Sequence, residues 1–142
     1  MYKKILVALE NSRSDQALLP HIEKLALLVH AELLLVHVAD GWGARNFDRL
    51  KLAESEEMKA DREYLESTAA KLRAAGLETR MILALGDPPT EILKVAEAEK
   101  CDLIAMTTHG HRLIGDIIHG STIEAVRHRT NIPMLIVRAA AK

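Results

Sequence analysis

The sequence predicts an α/β domain in which a doubly wound, Rossmann-like parallel sheet carries helices on both faces. Short apolar runs such as K-I-L-V-A-L at residues 4–9 lack alternation, which is typical of strands that are buried on both faces. Segments with helical periodicity separate these runs. A chain of 142 residues is long enough for one such domain, which we assign to residues 1–142.

The start of the chain predicts a strand, a helix and a second strand. They are expected over residues 4–9, 14–30 and 33–38. The helix is indicated by apolar residues at i, i+4, i+7 and i+8 spacing, namely Leu18, Ile22, Leu25, Ala26 and Val29. We expect Ser12 or Ser14 to cap it, and we expect Pro20 to cause a kink or a later helix start because proline deletes a backbone hydrogen bond.

The rest of the chain continues the alternation of helices and strands. The pattern predicts a loop over residues 41–46, a charged helix over 48–75, a strand over 79–85, a helix from 88 to about 100, a strand over 102–107, a short helix over 122–129 and a strand over 132–137. Doubly wound domains bind ligands beyond the carboxyl ends of their strands. We therefore expect a site where the first and fourth strands end.

The segment of residues 106–121, M-T-T-H-G-H-R-L-I-G-D-I-I-H-G-S, joins the predicted fourth strand to a predicted helix start. Ser121 and Glu124 have capping-box spacing, and Gly110 and Gly120 would let the backbone approach a ligand closely. Exposed amides at a helix start favour an anion, so the segment predicts a phosphate site. The alternative is a plain connection, although the segment is longer than most strand-to-helix loops.

Composition excludes several classes of function. The chain has 19 basic and 20 acidic residues and a net charge of -1, which gives no electrostatic case for a nucleic-acid partner. The apolar run after the first residues is too short for a signal sequence or a membrane span, so we expect a cytoplasmic protein without a membrane partner. The single cysteine, Cys101, excludes an internal disulfide and is expected to be inert ahead of a strand.

Other motifs of the chain lack the residues that their chemistry requires. The spacing from Gly115 to Ser121 imitates a phosphate-binding P-loop, but serine stands where the lysine belongs. His109, His111 and His119 could hold zinc, yet no clear fourth ligand accompanies them, so no metal site is predicted. No nucleophile and base pair is visible. We therefore predict no catalytic residues and no enzyme activity beyond slow ATP hydrolysis or self-phosphorylation.

Four segments of the chain are similar to the universal stress proteins of the UspA type. They are KKILVAL, LVHV, GDPPTEILKVAEAEKCDLIAMTTHG and GSTIEAVRHRTNIPMLIVR, and the resemblance covers essentially the whole chain. It implies a five-stranded parallel sheet in the order 3-2-1-4-5. It also implies a homodimer joined through the fifth strand, over the apolar residues from Met134 to Val137.

The resemblance also implies a nucleotide site. Nucleotide-binding members carry Gly-x2-Gly-x9-Gly-Ser/Thr, and here threonine replaces the first glycine while Glu10 matches an aspartate that meets the sugar or base. The residues implied are Ala8, Glu10, Val38, Met106, Thr107, Gly110, Gly120, Ser121 and Thr122. As alternatives, Ala8, Val38 and Met106 could be core residues, Glu10 a solvated turn residue and Ser121 only an N-cap.

Together these observations predict a dimeric cytosolic stress-response module that binds ATP or a related adenine nucleotide as a regulatory ligand, with Mg²⁺ accompanying the nucleotide. One alternative is a module that binds an unknown protein partner and has lost nucleotide affinity, which Thr107 would favour. Another is a weak ATPase or phosphotransferase, for which Asp116 or Glu10 would have to hold the metal.

Overall fold

The computed structural model describes residues 1–39, 51–108 and 114–139, and the side chains of residues 51–55 and 114–121 lie outside the description. These residues form one five-stranded sheet in the order β3-β2-β1-β4-β5, and every pairing is parallel. The strands are β1 (Lys4–Ala8), β2 (Glu32–Ala39), β3 (Thr79–Leu85), β4 (Leu103–Thr108) and β5 (Met134–Arg138). The predicted fold class and strand order are therefore confirmed.

Within the described residues, four helices connect the strands of the sheet. They are α1 (Asp15–Val29), α2 (Lys51–Ala74), α3 (Pro88–Ala98) and α4 (Ile114–Arg129). Asp87 caps α3, because its carboxylate accepts from the backbone N–H and the hydroxyl of Thr90 at 3.3 and 2.6 Å. Among the described residues, no helix combines the length and the apolar character that crossing a bilayer requires.

The two faces of the sheet bury separate apolar cores. One core contains Val7, Leu35 and Ala105 with residues of α1 and α2, and the other contains Leu6 and Met106 with residues of α3 and α4. Because successive strand residues point to opposite faces, a strand covered on both sides is apolar at every position. This explains the continuous apolar runs of the sequence. It also explains why β1 and β4 are buried along almost their whole length.

The start of α1 differs in part from what the sequence predicts. The helix begins at Asp15 and contains Pro20, so proline does not delay its start, while the kink remains a prediction. Ser14 occupies the N-cap position without a side-chain capping bond. Its hydroxyl instead donates to the Glu10 carboxylate at 2.8 Å. Its backbone is already helical, with φ of -62° and ψ of -27°, whereas a side-chain N-cap is typically extended.

The predicted start of the last helix is also wrong. That helix was expected over residues 122–129, but α4 begins at Ile114. Ser121 is therefore an interior residue of α4 and does not cap it, and Gly120 is helical instead of lying in a loop. The apolar residues Ile114, Ile117 and Ile118 have helical spacing, which extends the helix past both glycines of this segment.

Candidate functional site

A cavity of about 190 Å³ opens at the carboxyl ends of β1, β2 and β4. This is where the strand order reverses, since the chain proceeds from β1 to β2 on one side and reaches β4 on the other. The cavity is lined by Ala8, Leu9, Glu10, Val36, His37, Val38, Pro88, Ile92, Met106, Thr107 and Thr122. The structure thus brings together Ala8, Glu10, Val38, Met106, Thr107 and Thr122, all of which the sequence singled out.

The inner wall of the cavity is mostly apolar. Val36, Ile92 and Met106 line it and belong to the core between the sheet and helices α3 and α4. Ala8 and Val38 pack against the same core, and alanine at position 8 leaves open space beside the larger side chains. An apolar slot with few polar groups at its rim is the usual setting for a flat organic ligand.

Glu10 supplies a carboxylate to the cavity, and two hydroxyls hold it. Ser14 Oγ donates to Glu10 Oε1 at 2.8 Å, and Ser12 Oγ lies 3.3 Å from the same oxygen. The two serine hydroxyls are 2.8 Å apart, so all three side chains form one network. A carboxylate held in this way can accept hydrogen bonds from ligand hydroxyl or amino groups.

Asp15 is a second carboxylate, and the sequence reasoning missed it. It is only 1% exposed and accepts the backbone N–H groups of Glu10 and Asn11 at 3.0 and 2.9 Å. The hydroxyl of Tyr64 on α2 donates to Asp15 Oδ2 at 2.5 Å. Burial raises the pKa of the Asp15 carboxyl, and these hydrogen bonds only partly oppose that shift. The pKa of Tyr64 is also raised, first by burial and then by the bond to Asp15.

His37 is a further polar residue that sequence reasoning missed, and unlike Asp15 it lines the cavity. Its Nδ1 lies 2.8 Å from the carbonyl oxygen of Leu9, and its Nε2 lies 3.3 Å from Asp61 Oδ2 on α2. Asn11 Nδ2 donates to the other Asp61 oxygen at 2.9 Å. Helix α2 is thus linked to the ends of both β1 and β2. No sequence signal indicates this link, because Asp61 lies in a charged stretch that resembles a solvated helix face.

Thr107 stands where the family motif has its first glycine, and the structure shows where its side chain points. Leu103 and Ala105 belong to the core on the α1 and α2 face, whereas Met106 belongs to the opposite core. Alternation along β4 therefore directs the Thr107 side chain toward α1 and α2. The residue is 2% exposed, and its hydroxyl has no hydrogen-bond partner.

The second half of the loop motif is not arranged as an anion site in this structure. Gly120 and Ser121 lie beyond the first turn of α4. Amides at such positions bond to carbonyl groups of the same helix, so they do not point at a ligand. Thr122 lines the cavity from α4. Gly110, the other glycine of the motif, lies outside the described residues.

The described part of the chain offers no grouping of histidine, cysteine and acidic residues that could hold a metal. Of the three histidines weighed for zinc, His109 and His111 lie outside the described residues, as does the side chain of His119. Cys101 is buried directly ahead of β4, as expected. Burial raises the pKa of its thiol to about 11, so the thiol is protonated at neutral pH and unreactive.

Known proteins resemble this chain in both sequence and fold. The universal stress protein family matches residues 1–138. Universal stress protein MJ0577 of Methanocaldococcus jannaschii is 30% identical over 158 residues, which cover 97% of this chain and 96% of that protein. A solved structure of MJ0577 superposes with a TM-score of 0.83 at 29% identity and covers 100% of this chain and 99% of that one.

A further structural neighbour was solved with a nucleotide. The universal stress protein of Archaeoglobus fulgidus in complex with dAMP has a TM-score of 0.69 at 24% identity, with 96% of this chain and 98% of that chain covered. At this identity the likeness establishes the shared fold. The family match over residues 1–138 and the 30% identity to MJ0577 establish the family as well as the fold. The chain belongs to the universal stress protein family.

Proposed function

We propose that this protein binds ATP or a related adenine nucleotide in the cavity at the ends of β1, β2 and β4, as a regulatory ligand of a dimeric cytosolic module. The observation that carries the proposal is the pairing of an apolar slot with one oriented carboxylate, Glu10. An adenine ring matches the slot, and sugar hydroxyls match the carboxylate. The proposed site keeps the nine residues that the sequence singled out, namely Ala8, Glu10, Val38, Met106, Thr107, Gly110, Gly120, Ser121 and Thr122.

The size of the cavity indicates which part of the ligand it holds. Its volume of about 190 Å³ is below the roughly 300–1,000 Å³ that is typical for drug-sized ligands. The cavity therefore suits a base with part of its sugar. The phosphates, with any Mg²⁺, would extend toward α4 and the residues of the family motif at Gly110, Gly120 and Ser121.

Glu10 is proposed to bind the sugar. In other doubly wound domains an acidic side chain hydrogen-bonds the ribose hydroxyls, and Glu10 supplies such a side chain to this cavity. Because a carboxylate has two oxygens, Glu10 can also accept a second hydrogen bond from the base. The structural neighbour that was solved with dAMP supports an adenine nucleotide as the ligand class, and it shares the fold of this chain.

The proposal is tested by calorimetric titration of the protein with AMP and ATP, with and without Mg²⁺. Ala8→Leu would fill the slot and should abolish binding. Ala98→Leu is the matched control, because Ala98 is exposed at the end of α3 and should leave binding unchanged. Retained affinity in Ala8→Leu would exclude this cavity as the nucleotide site.

A module that binds a protein partner and no nucleotide is the second candidate, and one observation favours it. Gly120 and Ser121 are helical here, so their amides are already bonded within α4. Threonine at position 107, in place of the first glycine of the family motif, is the sequence feature that also favours this candidate. The same titration separates the two candidates, because this one expects no heat of binding from either nucleotide. Phosphate release in the presence of Mg²⁺ would instead indicate the weak ATPase.

The proposed dimer uses the edge of the sheet. In the strand order, β5 is the last strand and pairs only with β4 among the described residues. Ile136 on β5 is 39% exposed, which is high for a large apolar side chain at a strand centre. Pairing two β5 edges over residues 134–137 would satisfy their backbone groups and cover this side chain.

A further inference from the structure

Asp15 and Tyr64 lie behind the cavity and join helix α2 to the turn that carries Glu10. Asp15 is the first residue of α1, and Tyr64 lies in the middle of α2. Neither residue lines the cavity. Their hydrogen bond of 2.5 Å therefore joins two helices. It lies next to Glu10, whose carboxylate is proposed to bind the ligand.

The Asp15 carboxylate fixes the backbone of the turn after β1. It accepts the N–H of Glu10 at 3.0 Å and the N–H of Asn11 at 2.9 Å. Asn11 has a φ of 57°, a left-handed conformation that few residues other than glycine adopt readily. Two successive amides held by one buried carboxylate would keep the turn in this conformation. Without Asp15, both amides would lose their partner.

The same region also fixes the side chain of Glu10. Ser14, the residue before Asp15, is 3% exposed and donates to Glu10 Oε1 at 2.8 Å. The backbone and the carboxylate of Glu10 are thus held by two adjacent residues at the start of α1. On the side of α2, the hydroxyl of Tyr64 donates to the buried Asp15 carboxylate, which would otherwise lack a donor there.

We infer that Asp15 and Tyr64 are positioning residues for Glu10 and thereby set how strongly the cavity prefers ligands with sugar hydroxyls. The inference rests on the proposed function, since it concerns the same cavity. A carboxylate discriminates between a ribose and a dideoxyribose only if its oxygens lie within hydrogen-bond distance of the sugar hydroxyls. Neither Asp15 nor Tyr64 touches the ligand, so their effect must pass through Glu10.

The experiment compares AMP with 2′,3′-dideoxy-AMP by calorimetric titration. The unaltered protein should prefer AMP by about tenfold, as expected for hydrogen bonds to a charged group. In Tyr64→Phe this preference should fall to about threefold or less, mainly through weaker binding of AMP. Glu10→Ala should abolish the preference, and adding Tyr64→Phe to it should change nothing further.

The matched control is Thr79→Val. Thr79 is a buried residue whose hydroxyl donates to the Leu77 carbonyl at 3.1 Å. It begins the edge strand β3 and so lies at the end of the sheet away from the cavity. Its loss should lower stability as Tyr64→Phe does, yet leave the preference for AMP unchanged. Equal weakening of both ligands in Tyr64→Phe would assign Tyr64 a merely structural role and would overturn the inference.

Amide hydrogen exchange tests the positioning without any ligand. In Tyr64→Phe the amides of Glu10 and Asn11 should exchange at least several times faster, while amides in the middle of β1 keep their protection. Unchanged exchange at these two amides would overturn the inference even if nucleotide binds. If the unaltered protein binds neither nucleotide, the proposed function and the predicted preference both fail, and the exchange result still decides whether Tyr64 holds the turn.

Discussion

Asp61 on α2 lies 3.3 Å from His37 Nε2 at the end of β2, and its other oxygen accepts from Asn11 at 2.9 Å. The side chains of Asp61 and His37 are only 12% and 13% exposed, so water screens the contact weakly. One side chain of α2 therefore ties together the ends of two neighbouring strands. Of these three residues only His37 lines the cavity, so Asp61 supports the proposed site from outside it.

Asp61→Ala should lower the free energy of unfolding by about 1–2 kcal/mol, since it removes the hydrogen-bond acceptor of Asn11 Nδ2 and the side chain that pairs with His37 Nε2. Urea denaturation measures this loss. Glu63→Ala, at an exposed position of the same helix, is the control and should change stability by less than about 0.5 kcal/mol. Equal effects of the two substitutions would show that Asp61 behaves as an ordinary surface residue.

The raised pKa of Asp15 predicts a specific dependence of stability on pH. A carboxyl whose folded pKa lies above its ordinary value of 3.8 binds protons more tightly in the folded state. Its contribution is therefore fully present below pH 3.8 and is lost as pH rises through the folded pKa. Asp15→Asn cannot titrate, so the stability of the unaltered protein relative to this variant should fall with rising pH across that window. Urea denaturation at several pH values measures this, and a constant difference would contradict it.

Thr107 can be tested by two substitutions of opposite effect. Thr107→Val removes a buried hydroxyl that has no partner, so stability should stay equal or rise by about 1 kcal/mol. Thr107→Gly should lower stability by about 1 kcal/mol through lost packing and added chain entropy. Because the side chain points toward α1 and α2, neither change should alter nucleotide affinity more than about twofold. A large rise in affinity in Thr107→Gly would show that its Cβ obstructs the phosphates.

The strands were predictable because burial on both faces leaves a direct mark on the sequence. The apolar run at residues 4–9 predicted β1, Lys4–Ala8, to within one residue. The start of α4 was not predictable in this way, because the serine and glutamate at 121 and 124 form a local start signal. The apolar residues before them have helical spacing that favours a longer helix, and in the structure this periodicity outweighs that signal.

The cavity was only partly predictable. Its apolar residues and Glu10 follow from strand ends, which adjoin in any parallel sheet with this order. The Asp15 to Tyr64 bond joins residues that are 49 positions apart. No periodicity in the sequence links such a pair, and an acidic residue in the first turn of a helix ordinarily indicates only an interaction with the helix dipole.

The dimer prediction is tested at Ile136, which is 39% exposed on the edge strand β5. Ile136→Asp should convert the dimer to a monomer, because a charge at the centre of two paired edges would be buried without a partner. Light scattering at micromolar concentration and moderate salt measures the mass. Leu28→Asp is the control, since Leu28 is 77% exposed on α1 and is not part of the proposed pairing of the two β5 strands. A monomer already in the unaltered protein would refute the proposed interface.

Helix α4 has two candidate starts, and nucleotide binding should select between them. In the structure it begins at Ile114, and Glu124 pairs with Arg127 at 2.7 Å. If phosphate binds the amides of Gly120 and Ser121, those amides must leave the helix, so α4 would begin near Ser121 with Glu124 in the capping-box position. Adding ATP should then speed amide exchange over residues 114–119.

Gly115→Ala tests this coupling without touching the nucleotide. Alanine favours the longer helix by about 1 kcal/mol over glycine, so it should weaken ATP binding about fivefold if binding requires the shorter helix. Ser67→Ala is the control, because it raises helix propensity at an exposed position of α2 and should leave affinity unchanged. An unchanged affinity in Gly115→Ala would mean that ATP binds while α4 still begins at Ile114. The phosphates would then have to be held by groups other than the amides of Gly120 and Ser121.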